Sequence, residues 1–179
     1  MNDKHIYWYV LFVKTGSEEK IVGLLKERLD EENFLPFLLT KECIYRRHGN
    51  KTKYRQICFR GYVFVQSSKP PEEFRMTVFS IVYRINNVYK FLNYGDRTDI
   101  AMHESERIAF AKIFGEEFCL RGSIALGEGD KIRIVNGPLV DNESFIKKIN
   151  RKRKEAVIEI EMFQSKIEIN VGLEFIEKL

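Results

Sequence analysis

The chain has 179 residues, 44% apolar and 13% aromatic, with 30 basic and 26 acidic side chains for a net charge of +4. That composition excludes a disordered chain and supplies one medium core or two small ones. The longest apolar run, residues 6–13, is too short to span a bilayer and lacks a cleavage site, so neither a membrane segment nor a signal peptide is expected.

The cysteines, Cys43, Cys58 and Cys119, form no C-x-x-C pair, which points to a reduced, cytoplasmic protein. Net charge hides an asymmetry. Residues 1–122 hold 20 basic and 16 acidic side chains, the remainder 10 of each, and only 3 of the 23 aromatics follow residue 122. Two domains of different character are expected.

Residues 7–13 read as a buried strand ended by Thr15-Gly16. Ser17 is placed to cap a helix, with Glu18 and Glu19 in its first turn and Ile21, Leu24, Leu25 and Leu29 at helical spacing. Pro36 interrupts the segment that follows. Residues 40–47 and 52–59 flank His48-Gly49-Asn50-Lys51 as a hairpin, with Cys43 facing Cys58 if the turn centres on Asn50-Lys51. Residues 61–66 form a third strand, and Pro70-Pro71-Glu72-Glu73 opens a helix. Residues 81–92 return to β character, and residues 103–114 form a helix. This order predicts an α+β sandwich, an antiparallel sheet with helices, over residues 1–120.

Beyond it the period changes to two. Ile132 and Ile134 alternate with Lys131 and Arg133, and Ala156, Ile158, Ile160 and Met162 alternate with Val157, Glu159, Glu161 and Phe163. Ile167, Ile169 and Val171 alternate with Lys166, Glu168 and Asn170. A small all-β, SH3-like barrel is expected over residues 127–179, after a short linker at 121–126 loosened by Gly122, Gly127 and Gly129.

Catalysis has no foothold. There is no G-x-S-x-G, H-E-x-x-H or P-loop, and His5, His48 and His103 lack a second ligand at metal spacing, so no cofactor or metal is expected. Two basic clusters stand out instead. In the hairpin, Lys41, Arg46, Arg47, Lys51, Lys53, Arg55 and Arg60 oppose a single Glu42, with Tyr45, Tyr54 and Phe59 interspersed. Such a mixture suits a nucleic-acid backbone and its exposed bases. It also suits an exposed hairpin kept soluble by charge. The second cluster, Lys147, Lys148, Arg151, Lys152, Arg153 and Lys154, puts six cations in eight residues around Asn150 with no aromatic among them. That favours phosphate and groove contacts on a folded RNA stem, against the alternative of a solvated turn balanced by Glu155, Glu159 and Glu161.

Tyr7-Trp8-Tyr9-Val10, then Gly16 and a helix, then Phe59-Arg60-Gly61-Tyr62-Val63-Phe64-Val65 resemble the N-terminal domain of the NusG family of transcription elongation factors. Residues 129–138, from Gly129-Asp130-Lys131 to Gly137-Pro138, resemble the start of that family's C-terminal KOW module. The resemblance implies a non-enzymatic factor, a monomer, whose N-terminal domain docks an apolar patch on the clamp of RNA polymerase. On that basis Tyr9, Phe59 and Tyr62 are candidates for the patch. Arg46, Arg47, Lys51, Lys53 and Arg84 occupy positions that lie near upstream or non-template DNA in relatives.

The departures carry weight too. Arg60 replaces the motif's proline, Ser144 a glycine, Asn142 an aromatic used to meet ribosomal protein or termination factor, and Phe163-Gln164 a Phe-Gly turn. The pattern is similar to the specialised LoaP antiterminator branch of the family, which implies an antitermination factor whose KOW module binds a nascent leader RNA hairpin through Lys147, Lys148, Asn150, Arg151, Lys152, Arg153 and Lys154. The alternatives are a general elongation or pausing factor acting through non-template DNA, and an adaptor whose barrel recruits a ribosomal or termination protein.

Overall fold

The structure, a computed structural model, describes residues 6–47, 50–128 and 131–177, and the side chains at 45–47, 51, 128, 131 and 177 fall outside that description. Strand β1 (Tyr7–Val13) is followed by helix α1 (Glu18–Arg28), strands β2 (Phe34–Phe37), β3 (Thr40–Arg47), β4 (Asn50–Ile57) and β5 (Tyr62–Ser67), and helix α2 (Pro71–Val82). Strand β6 (Val88–Phe91), helix α3 (Glu104–Phe114) and strands β7 (Cys119–Leu120), β8 (Ser123–Glu128) and β9 (Lys131–Asn136) come next. After a 3₁₀ turn at Glu143–Phe145 the chain ends in strands β10 (Ile146–Asn150), β11 (Glu155–Met162) and β12 (Ser165–Glu177). The fold is α+β, with a helix-bearing N-terminal part and an all-β C-terminal half-barrel.

By their contacts the residues fall into two units, Met1–Leu38 with Phe59–Arg107, and Leu39–Cys58 with Ile108–Leu179. In the first, the antiparallel sheet runs β2-β5-β1-β6. Both faces of β1 are buried. Tyr9, Leu11 and Val13 meet Ile21 and Leu25 of α1 and Phe74, Val78 and Val82 of α2 in one core. On the other face Trp8 packs edge-on to Phe37 at 5.0 Å between centroids, and Phe64 lies against Phe37 and Phe59 at 5.6 and 5.8 Å. Pro36 does not break the chain. It sits in β2, at the sheet edge, where a missing N–H costs no ladder bond. Residues 81–87, expected as strand, instead close α2 and turn, because Phe74, Val78 and Val82 recur at helical spacing and are all buried.

One carboxylate joins two turns of this unit. Ser17 makes no side-chain cap; instead Glu18, 3% exposed, accepts hydrogen bonds from the N–H of Gly16 and of Gly61, both at 2.7 Å. Gly61 has φ +83°, and a Cβ there would lie 3.3 Å from the Val13 carbonyl. Burial opposes the charge on Glu18, but the backbone N–H donors of Gly61, Glu18 and Gly16, with Arg60 nearby, outweigh it and hold its carboxyl below the usual range. Glu18→Ala should therefore lose about 3 kcal/mol in urea unfolding at neutral pH, from two charge-assisted hydrogen bonds and the donors left unpaired. A lowered native pKa contributes stability above the unfolded value and loses it as pH falls through the native one. The gap between wild type and Glu18→Gln should accordingly narrow as pH drops from about 7 to about 3. A gap that stays constant across that range would show that the carboxylate's charge is not what holds the turns.

In the second unit, β4-β3-β7 form one sheet and β10-β11-β12-β8-β9 another. Ala156, Ile158, Ile160 and Met162 are all buried, on the face their alternation assigns to the core. The expected linker at 121–126 is corrected: from Ser123 onward it is β8, paired parallel to β12 and antiparallel to β9. Alternation decides this, since Ser123 and Ala125 are buried and the glycines merely thin the strand. Gly137, at φ +97°, lets the β9 exit pass over β8, where a Cβ would fall 2.6 Å from Ser123 Oγ.

Candidate nucleic-acid interface

Asn150 pairs with Glu155, so residues 151–154 form a four-residue loop between β10 and β11. Asn150 builds that loop: its Oδ1 accepts the N–H of Arg153 at 3.0 Å. The N–H of Lys154 donates to the Arg151 carbonyl at 3.3 Å, and the Lys154 carbonyl accepts from Leu173 of β12 at 2.8 Å. Lys154 adopts φ +55°, the left-handed conformation that turns the chain into β11. Arg151, Lys152, Arg153 and Lys154 are all exposed, as is Lys148 just before them. Among the described residues Lys148, Lys152, Arg153 and Lys154 form no ion pair. The result is a braced backbone presenting a dense set of exposed cations.

Lys147 belongs elsewhere. The β10–β11 register shifts between Ile146 and Lys148, and at that bulge Lys147 Nζ reaches Glu159 at 2.8 Å and Glu168 at 2.6 Å. Glu159 and Glu168 are directly opposed in the β11–β12 ladder, and Lys166 bonds Glu159 from the other side at 2.9 Å. The hydrogen bonds that Lys147 donates to both carboxylates raise its pKa, and those that Glu159 accepts from Lys147 and Lys166 lower that of Glu159. Lys147 thus differs from the loop cations in having two carboxylate partners.

The hairpin is less uniformly available than its composition suggests. Lys53 pairs with Glu42 at 3.0 Å, Arg55 with Glu117 at 2.6 Å, and Lys41 Nζ donates to the Asn170 carbonyl at 3.3 Å. In the ladder Arg46 is opposite Lys51 and Arg47 opposite Asn50, so a turn centred on Asn50-Lys51 is corrected to strand pairing there; residues 48–49 lie outside the described residues. The side chains of Arg46, Arg47 and Lys51 also lie outside them. Cys43 faces Tyr54, not Cys58, whose N–H bonds the Leu39 carbonyl, and all three cysteines are free. Burial pushes the Cys58 thiol up to about 12.

In the first unit, Arg84 lines a cleft of about 150 Å³ with Ser17, Lys20, Leu24, Arg28 and Asn87. Lys20, Arg28 and Arg84 thereby bring three cations to one cleft, a disposition that favours an anion such as a phosphate. Lys20, Leu24 and Arg28 stand four apart on α1, a spacing visible in the sequence once Arg84 is folded onto that helix.

Of the three aromatics expected to meet polymerase, two are core. Tyr9 is fully buried, stacks on Phe74 at 3.6 Å and donates its hydroxyl to the Lys69 carbonyl at 2.7 Å; burial, with Tyr7 nearby, raises its pKa. Phe59 is 5% exposed against Phe64. Tyr62 is half-buried and opposes Phe12 across β1–β5, rings 5.6 Å apart. Tyr89, 55% exposed, extends the row at 5.2 Å from Phe12. Phe12, Tyr62 and Tyr89 thus form an open aromatic surface. The signal for Phe12 was its parity with Trp8 and Val10 at the strand's end.

Asn142 folds back on its own turn, its Nδ2 donating to the carbonyls of Pro138 and Val140 at 3.0 and 3.2 Å. Phe163 and Gln164 both take left-handed conformations, φ +48° and +63°, in the two-residue turn between β11 and β12. No helix among the described residues is long and apolar enough to cross a membrane.

Residues 6–110 match the family model described as transcription termination factor nusG. The transcription termination/antitermination protein NusG of Thermus thermophilus is 26% identical over 166 residues, covering 88% of this chain and 90% of that protein. The protein of the same description from Neisseria meningitidis is 23% identical over 181 residues, covering 96% and 97%. A solved structure titled "Domain interaction in Thermotoga maritima NusG" matches with a TM-score of 0.56 at 19% identity, over 94% of each chain.

Proposed function

The chain belongs to the NusG family of transcription termination/antitermination factors, and from that premise we propose that it is a processive antitermination factor of the LoaP type. The N-terminal domain, residues 1–120, holds the clamp region of RNA polymerase through Phe12, Tyr62 and Tyr89. The KOW module, residues 127–179, grips a structured hairpin in the nascent leader RNA through Lys148, Arg151, Lys152, Arg153 and Lys154. The observation that carries this reading is the braced 151–154 loop with its four exposed cations, of which Lys152, Arg153 and Lys154 form no ion pair among the described residues. Tethering raises the effective concentration of each contact for the other. The factor acts as a monomer in the cytoplasm and needs no catalytic group.

Transcription by RNA polymerase through a terminator, with the full chain added, tests the proposal directly. Readthrough should rise when a leader stem-loop precedes the terminator and stay at background when the stem is unpaired by substitution. Equal readthrough on both templates would overturn it.

The cleft around Lys20, Arg28 and Arg84 favours one second reading, a contact with non-template DNA in the transcription bubble. That reading predicts an effect that follows bubble sequence rather than the leader. The adaptor alternative is weaker, because Asn142 turns inward where an adaptor needs an outward aromatic.

A further inference from the structure

We infer that Lys147 is a positioning residue for the basic loop, an ionic clasp that fixes β10 on the sheet and makes no contact with RNA; this rests on the RNA-binding reading of the loop. Direct opposition of two carboxylates in a ladder is destabilising, and Glu159 faces Glu168. Lys147 lies between them at 2.8 and 2.6 Å, and Lys166 completes the neutralisation of Glu159. The clasp forms where the β10–β11 register shifts, with Lys147 four residues before the loop begins at Arg151. Everything that aims the loop follows from that point: Lys148 opposite Val157, Asn150 opposite Glu155, and the Asn150 hydrogen bond to Arg153. Without the cation, Glu159 and Glu168 repel each other across the β11–β12 ladder, four residues along β11 from Glu155 at the loop's exit.

The groups facing Lys147 separate two roles that sequence cannot distinguish. A phosphate-binding lysine loses affinity on neutralisation whatever its neighbours are. A clasp becomes dispensable once the carboxylates it serves are also neutral. The test uses the full chain and three variants, Lys147→Met, Lys147→Met with Glu159→Gln and Glu168→Gln, and Glu159→Gln with Glu168→Gln. Amide hydrogen exchange without RNA is the first readout. Lys147→Met should raise exchange in residues 146–150 and 155–159 by roughly fivefold, and the triple variant should return it to the wild-type rate. Unchanged exchange in Lys147→Met overturns the clasp, whatever the RNA result.

Binding to a fully paired RNA stem-loop is the second readout. Lys147→Met should weaken it roughly fivefold, the triple variant should restore it, and the salt slope should stay within about 0.3 of wild type, because a lost phosphate contact would remove about 0.7–0.9. A triple variant that remains weak, with a reduced slope, makes Lys147 an RNA contact and overturns the proposal. Failure of the wild-type chain to bind the stem-loop removes the RNA reading itself, and the exchange result alone then decides the clasp.

Discussion

Replacing Lys148, Arg151, Lys152, Arg153 and Lys154 together by glutamine should weaken binding of the full chain to an RNA stem-loop by about 10²–10³-fold near physiological salt. Five phosphate contacts correspond to a slope of log affinity on log salt of roughly −4, and the variant's slope should collapse towards zero. All five side chains are exposed, and the loop is held by backbone groups and by Asn150, which the variant keeps. Its melting temperature should therefore match wild type, since surface substitutions of this kind cost within about 0.5 kcal/mol each. Retained affinity with an unchanged slope would place the RNA surface elsewhere on the chain.

The second large effect concerns the aromatic row. Phe12→Ala with Tyr62→Ala and Tyr89→Ala should reduce binding to RNA polymerase by roughly 100-fold or more, because buried aromatic anchors each contribute about 2–4 kcal/mol at an interface core. Tyr9→Phe is the contrasting variant. It removes the hydrogen bond to the Lys69 carbonyl, lowering unfolding stability by about 1 kcal/mol, and leaves polymerase binding intact. Co-sedimentation with polymerase and urea unfolding measure the two quantities separately. A polymerase defect in Tyr9→Phe equal to that of the aromatic row would mean that the row acts only through the fold.

The contrast between Tyr9 and Phe12 also marks how far the sequence could be read. The extent of β1 was legible from its composition, but its orientation was not: both faces are buried along most of its length, so alternation carries no direction until Phe12, at the sheet's open end. The hairpin, the start of α2 and the C-terminal alternation were legible because turn residues, Pro70-Pro71 and period two are local signals. Residues 81–87 were misread because isoleucine and valine favour strands locally, while the helical spacing from Phe74 to Val82 is a tertiary demand. The linker was misread because glycines at 122, 127 and 129 look alike whether they loosen a chain or thin a strand. Within the basic cluster, Lys147 and Lys148 are indistinguishable in sequence; a bulge between β10 and β11 gives them different partners. Local charge density marked the basic cluster, and the register of three strands separates Lys147, which meets two carboxylates, from the cations of the loop.

Strand β12 places one further condition on that interface. Its first part is bonded to β11 and its last five residues to β8, and in the sheet order β8-β9 and β10-β11 meet only through it. The basic loop and the Gly137 crossing therefore hang from opposite sides of a single shared seam. Loosening β8, which carries none of the loop's charge, withdraws the support of the Leu173 amide that anchors Lys154. The C-terminal sheet should melt as one cooperative piece, and the electrostatics of the loop are inseparable from the mechanics of a strand pairing some fifty residues apart in the chain, Ser123 with Leu173.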